Sequence, residues 1–216
     1  MLRWLLLLGA LLLSALLVLP AEYSPAQLST QTCREPATLK FNIVDRIRRT
    51  EVGFTQGLEV YGDKLYESTG RVGGTTRLNT ISLRGAVTRL VDLGTAVFGE
   101  GLTIFKNEMF QLTWQDHQVF VYDLAGRPKR MMRNAHEGWG LANDGENLIF
   151  SDGGPSFYYA DPVTFEIRKS VRIRTNLSAE VAGLNELEFV NGKLFGNIFL
   201  TREIVRLDPV TGCTSF

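Results

Sequence analysis

A strand–turn–strand unit that recurs four times constrains this chain more than any other feature. The copies run Gln56-Gly-Leu-Glu-Val-Tyr-Gly-Asp-Lys-Leu-Tyr-Glu67, Glu100-Gly-Leu-Thr-Ile-Phe-Lys-Asn-Glu-Met-Phe-Gln-Leu112, Trp139-Gly-Leu-Ala-Asn-Asp-Gly-Glu-Asn-Leu-Ile-Phe-Ser-Asp152 and Asn185-Glu-Leu-Glu-Phe-Val-Asn-Gly-Lys-Leu-Phe-Gly-Asn197. Their shared leucines are Leu58, Leu102, Leu141 and Leu187, so successive intervals are 44, 39 and 46 residues. That period is the size of one four-stranded propeller blade. From about residue 40 no stretch holds a 3.6-residue apolar period, and Gly, Asn and Asp punctuate the short alternating runs. The fold class is therefore all-β, a β-propeller with four recognisable blades.

The rest of each blade can be placed as well. Residues 76–82 and 87–92 supply further strands of the first blade, 119–123 of the second, and 157–161 and 167–173 of the third. Asp161-Pro-Val-Thr-Phe165 and Asp208-Pro-Val-Thr-Gly212 read as matching turns of the third and fourth. Residues 39–48 are expected to form a lone strand ahead of the first repeat, of the kind that closes a propeller ring. Closure between the fourth and first blades is expected to be imperfect.

Composition removes several classes of function. With 23 Lys+Arg against 23 Asp+Glu the formal net charge is zero, which excludes the basic excess of a nucleic-acid binder. At 44% hydrophobic and 10% aromatic the chain can build a core, so it is not disordered. Two Cys and two His are too few for a disulfide-rich scaffold or a Cys/His metal site.

The N-terminus reads as a separate segment. Arg3 is followed by an apolar run over residues 4–19 that ends at Pro20-Ala21. Residues 1–21 are thus expected to be a secretory signal peptide, or an uncleaved membrane anchor. The chain is then exported, periplasmic or secreted, and touches a membrane only through that leader. Residues 22–38 read as a linker and 39–216 as the propeller. Export permits a Cys33–Cys213 disulfide that would join the ends of the domain, with two free thiols as the alternative. Asn176-Leu-Ser178 is a glycosylation sequon, a triplet common by chance.

In a propeller the innermost strand of each blade faces the central channel. The repeat heads therefore place Gln56, Glu100, Trp139 and Asn185 at equivalent positions around one mouth. Ends of the second strands add Glu67, Trp114, Asp152 and Phe199. Glu100, desolvated by Phe98, Trp114 and Trp139, would have its pKa raised toward neutrality and could shuttle protons. Gln56 and Asn185 could donate to an oxyanion. No Gly-x-Ser-x-Gly elbow or Cys/His pair is present. A paired-carboxylate glycosidase would need a second acid, Glu67 or Glu186. Each aromatic alone would be ordinary core, and each acid alone a turn or inter-blade contact. Their recurrence at one repeat position favours a site.

As a set, Phe54-Thr-Gln-Gly-Leu58, Glu67-Ser-Thr-Gly70, Phe98-Gly-Glu-Gly-Leu-Thr103, Gly138-Trp-Gly-Leu141, Ser151-Asp-Gly153, Asp161-Pro-Val-Thr-Phe165 and Leu184-Asn-Glu-Leu-Glu188 resemble the plant and bacterial type glutaminyl cyclases, also called glutamine cyclotransferases. The resemblance runs in order from about residue 40 to 212. It implies a five-bladed propeller that converts an N-terminal glutaminyl residue of a peptide or protein to pyroglutamate with loss of ammonia. It implies no cofactor and no metal; the chain is expected to act as a monomer. Matched motif by motif, it implies Glu100 as the acid/base, with Gln56 and Asn185 holding substrate and oxyanion. Phe54, Phe98, Trp114, Trp139 and Phe199 would line the substrate pocket, with Glu67 in support. Two departures stand out. Phe199 replaces the more usual Trp, and the family's fifth-blade head and its Thr-Gly-Lys-like strand are not found. That lysine has no counterpart, and the last blade of the pattern is missing from this sequence. A propeller that binds such peptides without turning them over is the alternative.

Overall fold

The computed structural model describes residues 33–34, 37–71, 74–176 and 179–215. The leader read from residues 1–21 lies outside the described residues, as does part of the sequon.

Among the described residues, sixteen strands form four antiparallel four-stranded meanders. Blade one contains β1 (Phe54–Tyr61), β2 (Lys64–Gly70), β3 (Thr76–Ser82) and β4 (Val87–Gly94). Blade two contains β5 (Gly99–Phe105), β6 (Glu108–Thr113), β7 (Gln118–Asp123) and β8 (Pro128–Arg133). Blade three contains β9 (Leu141–Asn143), β10 (Leu148–Ser151), β11 (Ser156–Ala160) and β12 (Ile167–Arg172). Blade four contains β13 (Leu184–Val190), β14 (Lys193–Ile198), β15 (Ile204–Leu207) and the two-residue β16 (Thr214–Ser215). The matching Asp-Pro-Val-Thr turns are both present. Asp161 Oδ1 accepts the N–H groups of Val163 and Thr164 at 2.7 and 3.0 Å, and Asp208 Oδ1 those of Val210 and Thr211, both at 3.0 Å.

Successive residues of a strand point to opposite sheet faces, so a blade between two neighbours must be apolar on both. β10 is such a strand. Leu148 and Phe150 pack toward blade two and Ile149 toward blade four, all fully buried. Three apolar clusters fill the spaces between blades one and two, two and three, and three and four. Among the described residues no such cluster joins blade four to blade one.

The inner strands β1, β5, β9 and β13 touch in that cyclic order, and β1 also meets β13. The repeat heads show how. A Cβ on Gly57 would stand 2.4 Å from Leu102 N, one on Gly101 2.5 Å from Leu141 N, and one on Gly140 1.8 Å from Asn185 O. Glycine fills this slot wherever the next inner strand lies directly against it. The fourth repeat carries Glu186 there, whose Oε1 instead reaches across to accept Leu58 N–H at 3.2 Å. The hub between blades four and one is thus bridged by a side chain.

The strand expected over residues 39–48 does not form. Phe41, Ile43 and Val44 are 84%, 57% and 96% exposed, and a backbone hydrogen bond to blade one comes only beyond this segment, where Thr50 N–H donates to Gly85 O at 3.0 Å. Apolar alternation supplies a strand's side chains but not its ladder, and no described edge strand runs beside this segment. Ile47 and Arg49 settle on blade one, beside Leu58, Leu65 and Ile81.

Cys33, inside the stretch read as linker, is disulfide-bonded to Cys213 with a Cα–Cα distance of 5.4 Å. The pairing joins residues 180 apart in sequence and fastens the start of the described chain to the end of blade four.

Candidate active site

Three of the four repeat heads carry the same irregularity. The register of β1 against β2 shifts between Thr55 and Gly57, that of β5 against β6 between Gly99 and Leu102, and that of β13 against β14 between Leu184 and Leu187. A bulge re-aims the side chain within it. The first residues within these three are Gln56, Glu100 and Asn185. In the third head, Trp139 precedes β9, its N–H donating to Ser151 O at 3.0 Å and its carbonyl accepting Gly101 N–H at 2.7 Å.

These side chains meet in a cavity of about 290 Å³ lined by Phe54, Gln56, Phe98, Glu100, Trp114, Trp139, Asn185 and Phe199. Eight of the nine residues singled out from sequence are therefore brought together. Phe98 is central to one wall, edge-on to Phe54 at 6.4 Å and to Trp114 at 5.7 Å. The other wall is Trp139, edge-on to Phe199 at 5.3 Å. Two glycines make room for them. A Cβ on Gly70 would fall 2.4 Å from the Phe98 ring, and one on Gly153 2.6 Å from the Trp139 ring. The Glu67-Ser-Thr-Gly70 and Ser151-Asp-Gly153 motifs therefore shape the walls through their glycines.

Glu67 is the exception in placement. It is 1% exposed and lies outside this cavity, held by Arg49, by Thr55 Oγ1 and by Asn79 Nδ2 at 3.1 Å. Its place on β2, opposite Leu58, points it at these partners and away from the aromatic walls. Asp152 is also set apart, bound to His136 Nδ1 at 2.9 Å and to the Tyr158 hydroxyl at 3.0 Å. Glu186 lines a different recess with Glu188. Neither acid that a glycosidase reading would pair with Glu100 shares its cavity.

Glu100 is 4% exposed and accepts one hydrogen bond, from Gln56 Nε2 at 2.7 Å. Burial raises its carboxyl pKa to about 8; the Gln56 bond opposes the rise, and the nearby Glu137 charge adds to it. One group in this environment was missed from the sequence. Glu137 accepts the indole N–H of Trp114 at 2.8 Å and that of Trp139 at 3.3 Å. It stands in the His136-Glu-Gly-Trp-Gly140 head, and its place two residues before a pocket Trp was the available signal. Among the described residues no group of three or more His, Cys, Asp or Glu is arranged to hold a metal ion. Chemically, the site offers one buried carboxyl poised near neutral pH, two primary amides and an aromatic enclosure.

Comparison with known proteins agrees with this geometry. The chain is 38% identical over 163 residues to the glutaminyl-peptide cyclotransferase of Arabidopsis thaliana, an alignment covering 74% of this chain and 50% of that protein. The chain thus spans about half the length of that curated relative. The crystal structure of Myxococcus xanthus glutaminyl cyclase superposes with a TM-score of 0.72 at 30% identity, over 80% of this chain and 73% of that one. A Bacteroides thetaiotaomicron protein of unknown function aligns with a TM-score of 0.54 at 18% identity, over 76% of this chain and 43% of that one, a likeness of fold alone. The family described as glutamine cyclotransferase matches residues 12–215, and the chain belongs to that family.

Proposed function

We propose that this protein is a glutaminyl-peptide cyclotransferase, closing the N-terminal glutamine of a peptide or protein to pyroglutamate and releasing ammonia. The observation that carries the reading is Glu100, a carboxyl buried among aromatic rings, fixed by Gln56 and titrating near 8.

The chemistry follows from that pKa. The substrate's α-amine must lose a proton to become a nucleophile, and an N-terminal amine titrates at about 7.7–8.0. Glu100 is matched to it, so the proton moves between the two at little cost. The amine nitrogen then bonds to the side-chain carboxamide carbon, and the carbonyl oxygen takes up negative charge. The free N–H of the Gln56 amide and the side-chain amide of Asn185, which has no protein partner among the described residues, are the donors available to that oxygen. Glu100 passes its proton to the departing nitrogen and then takes up the second proton that the ring nitrogen must shed, which it hands on to the released ammonia or to solvent. The C–N bond breaks, the carbonyl reforms and ammonia leaves. The aromatic walls exclude water and hold the glutaminyl chain folded toward its own amine, the entropic part of the task.

The substrates are then peptides or proteins that begin with Gln, the enzyme works as a monomer, and it acts outside the cytoplasm. Export is supported by the apolar run over residues 4–19 and by the Cys33–Cys213 disulfide, a bond typical of oxidising compartments. The test is ammonia release from a Gln-initiated dipeptide by the purified protein, with a Glu-initiated dipeptide as control. Release confined to the Gln peptide supports the reading. Folded protein that binds the peptide but releases nothing defeats it in favour of a binding propeller.

A further inference from the structure

Behind the aromatic walls stands an acid that the proton transfer does not use. Glu137 Oε2 accepts Trp114 Nε1–H at 2.8 Å and Trp139 Nε1–H at 3.3 Å, and its Oε1 accepts Gln115 Nε2–H at 3.1 Å. The two indoles belong to different blades, for Trp114 follows β6 and Trp139 precedes β9. One carboxylate oxygen therefore ties together, across a blade boundary, the two largest side chains of the cavity. The backbone that carries it is pinned. Asn134 Oδ1 accepts His136 N–H at 3.0 Å, and Gly138 N–H donates to Thr113 O at 3.2 Å and Trp114 O at 3.1 Å.

We propose that Glu137 is the positioning residue of this pocket. By holding both indole N–H groups it sets the separation and tilt of the Trp114 and Trp139 rings, and its charge behind them favours a cationic amine at their faces. That the amine is a peptide N-terminus rests on the cyclotransferase reading; the hold on the indoles does not.

Packing fixes the rings in part, Trp139 lying against Gly153 and Trp114 against Phe98. Trp139 leans on Phe199, which is itself 44% exposed and a weak stop. A hydrogen bond to a carboxylate is about twice as strong as a neutral one, and here a single anion receives two from the walls. Partial burial works against ionisation of Glu137, but the bonds from Gln115, Trp139 and Trp114, with His117 nearby, outweigh it and hold the carboxyl below its ordinary range. It is therefore charged wherever Glu100 titrates. His117 is engaged through Nδ1 with His136 O at 2.9 Å, and His136 with Asp152, so neither ring competes for the carboxylate. A cation over an indole face gains electrostatic attraction, and an anion on the indole N–H makes the ring a better host.

The experiment exploits the three tryptophans of the chain. In a Trp4→Phe background the intrinsic emission comes only from Trp114 and Trp139. Glu137→Gln keeps the side chain's size and one oxygen for the indoles but removes the charge and turns the acceptor of Gln115 into a donor. The expected results are a shift in emission, a rise in KM of about tenfold, the size of one charge-assisted hydrogen bond, with a smaller change in kcat, and displacement of the acid limb of kcat/KM to lower pH. Unchanged emission with an unchanged acid limb overturns the proposal, even if kcat falls. Should Glu137→Gln not fold, Trp114→Phe and Trp139→Phe remove one donor each and keep a ring. A several-fold rise in KM in both is expected, and wild-type KM in both overturns the proposal. Wild-type protein that releases no ammonia defeats the cyclotransferase reading, while the emission of Glu137→Gln still decides the hold on the indoles.

Discussion

Gln56 Nε2 donates to Glu100 Oε2 at 2.7 Å across the boundary between the first and second blades. The bond holds the carboxyl in one orientation within the aromatic cavity and leaves its other oxygen for a substrate proton. Glu100→Gln preserves volume and burial but cannot move a proton. General acid–base catalysis contributes roughly 10²–10⁴ in rate. Loss of ammonia release in that range, with an unchanged melting temperature, is the expected outcome. Activity within tenfold of wild type would remove Glu100 from the mechanism.

The pH dependence has a definite sign. Burial raises the Glu100 pKa from an ordinary 4.5 to about 8, so the carboxylate is scarce at pH 6 and prevalent at pH 9. As the base, it makes kcat/KM climb with pH and bend near 8. The substrate amine titrates in the same region, so the profile should be taken with Gln dipeptides of different amine pKa. The bend that stays fixed across the series is that of Glu100. A profile already flat by pH 6 would contradict the buried-base assignment.

The site was more legible in sequence than the closure of the ring. Equivalent repeat positions point at one mouth whatever the turns do, so stacking four segments reaches Gln56, Glu100, Trp139 and Asn185 with Phe98, Trp114 and Phe199 beside them, while Phe54 is assigned through the family resemblance. Glu137 escaped because that stacking puts Trp139 in the slot of Glu100, and because its partners lie on two blades. Glu67 was drawn in by its motif, yet what faces the pocket there is Gly70, whose missing side chain admits Phe98. Phe41 and Ile43 alternate like a strand, but a ladder needs a neighbouring edge, which no local pattern reveals. The slot filled by Gly57, Gly101, Gly140 and then Glu186 was visible as letters. Its meaning, close backbone approach three times and a side-chain bridge once, needed the packing of the inner strands.

That reading of the slot can be tested at Gly140. An alanine Cβ there would lie 1.8 Å from Asn185 O, a backbone atom that cannot swing aside. The inner strands of blades three and four would have to separate, displacing the Asn185 amide from the cavity. Overpacking of this kind costs about 1–3 kcal/mol and more when backbone must move. Gly140→Ala is expected to melt several degrees lower and to lose affinity for peptide. Gly62→Ala, whose Cβ would meet nothing within 4 Å but whose φ is +64°, is the control for backbone strain without a clash. Equal losses in both would refute the close-approach argument.

The hub between blades four and one carries a second group of displaced titrations. Glu186 is raised to about 8 by burial, with the charges of Glu188 and Glu59 adding and the Leu58 N–H opposing. Glu188 is raised to about 7 by burial and by Glu59. A carboxyl whose folded pKa lies above its unfolded one stabilises the fold fully below the unfolded value of 4.5. That contribution fades as pH climbs through the folded value. Thermal stability should therefore fall from pH 5.5 to pH 9. Glu186→Gln keeps an acceptor for Leu58 N–H and should flatten the decline, raising the melting temperature at pH 9 with little change at pH 5.5. A wild-type melting temperature independent of pH would show these acids to be solvated.

The disulfide lies at the end of blade four, where Cys213 bridges to Arg174 just past the outer strand of blade three. Cys33 and Cys213 close a loop of 180 residues, and the chain-entropy estimate for so long a loop is on the order of 5 kcal/mol. That is comparable to the whole stability of many domains. It matters more here because no apolar cluster among the described residues joins blades four and one. Cys33→Ser with Cys213→Ser, or reduction of the wild-type protein, should lower the melting temperature by ten degrees or more. Blades two and three, packed on both faces, should keep their amide protection while blades one and four lose theirs first. Hydrogen exchange followed with and without reductant checks this order. Uniform loss across all four blades would show that the disulfide stabilises the unit as a whole and does not brace particular blades.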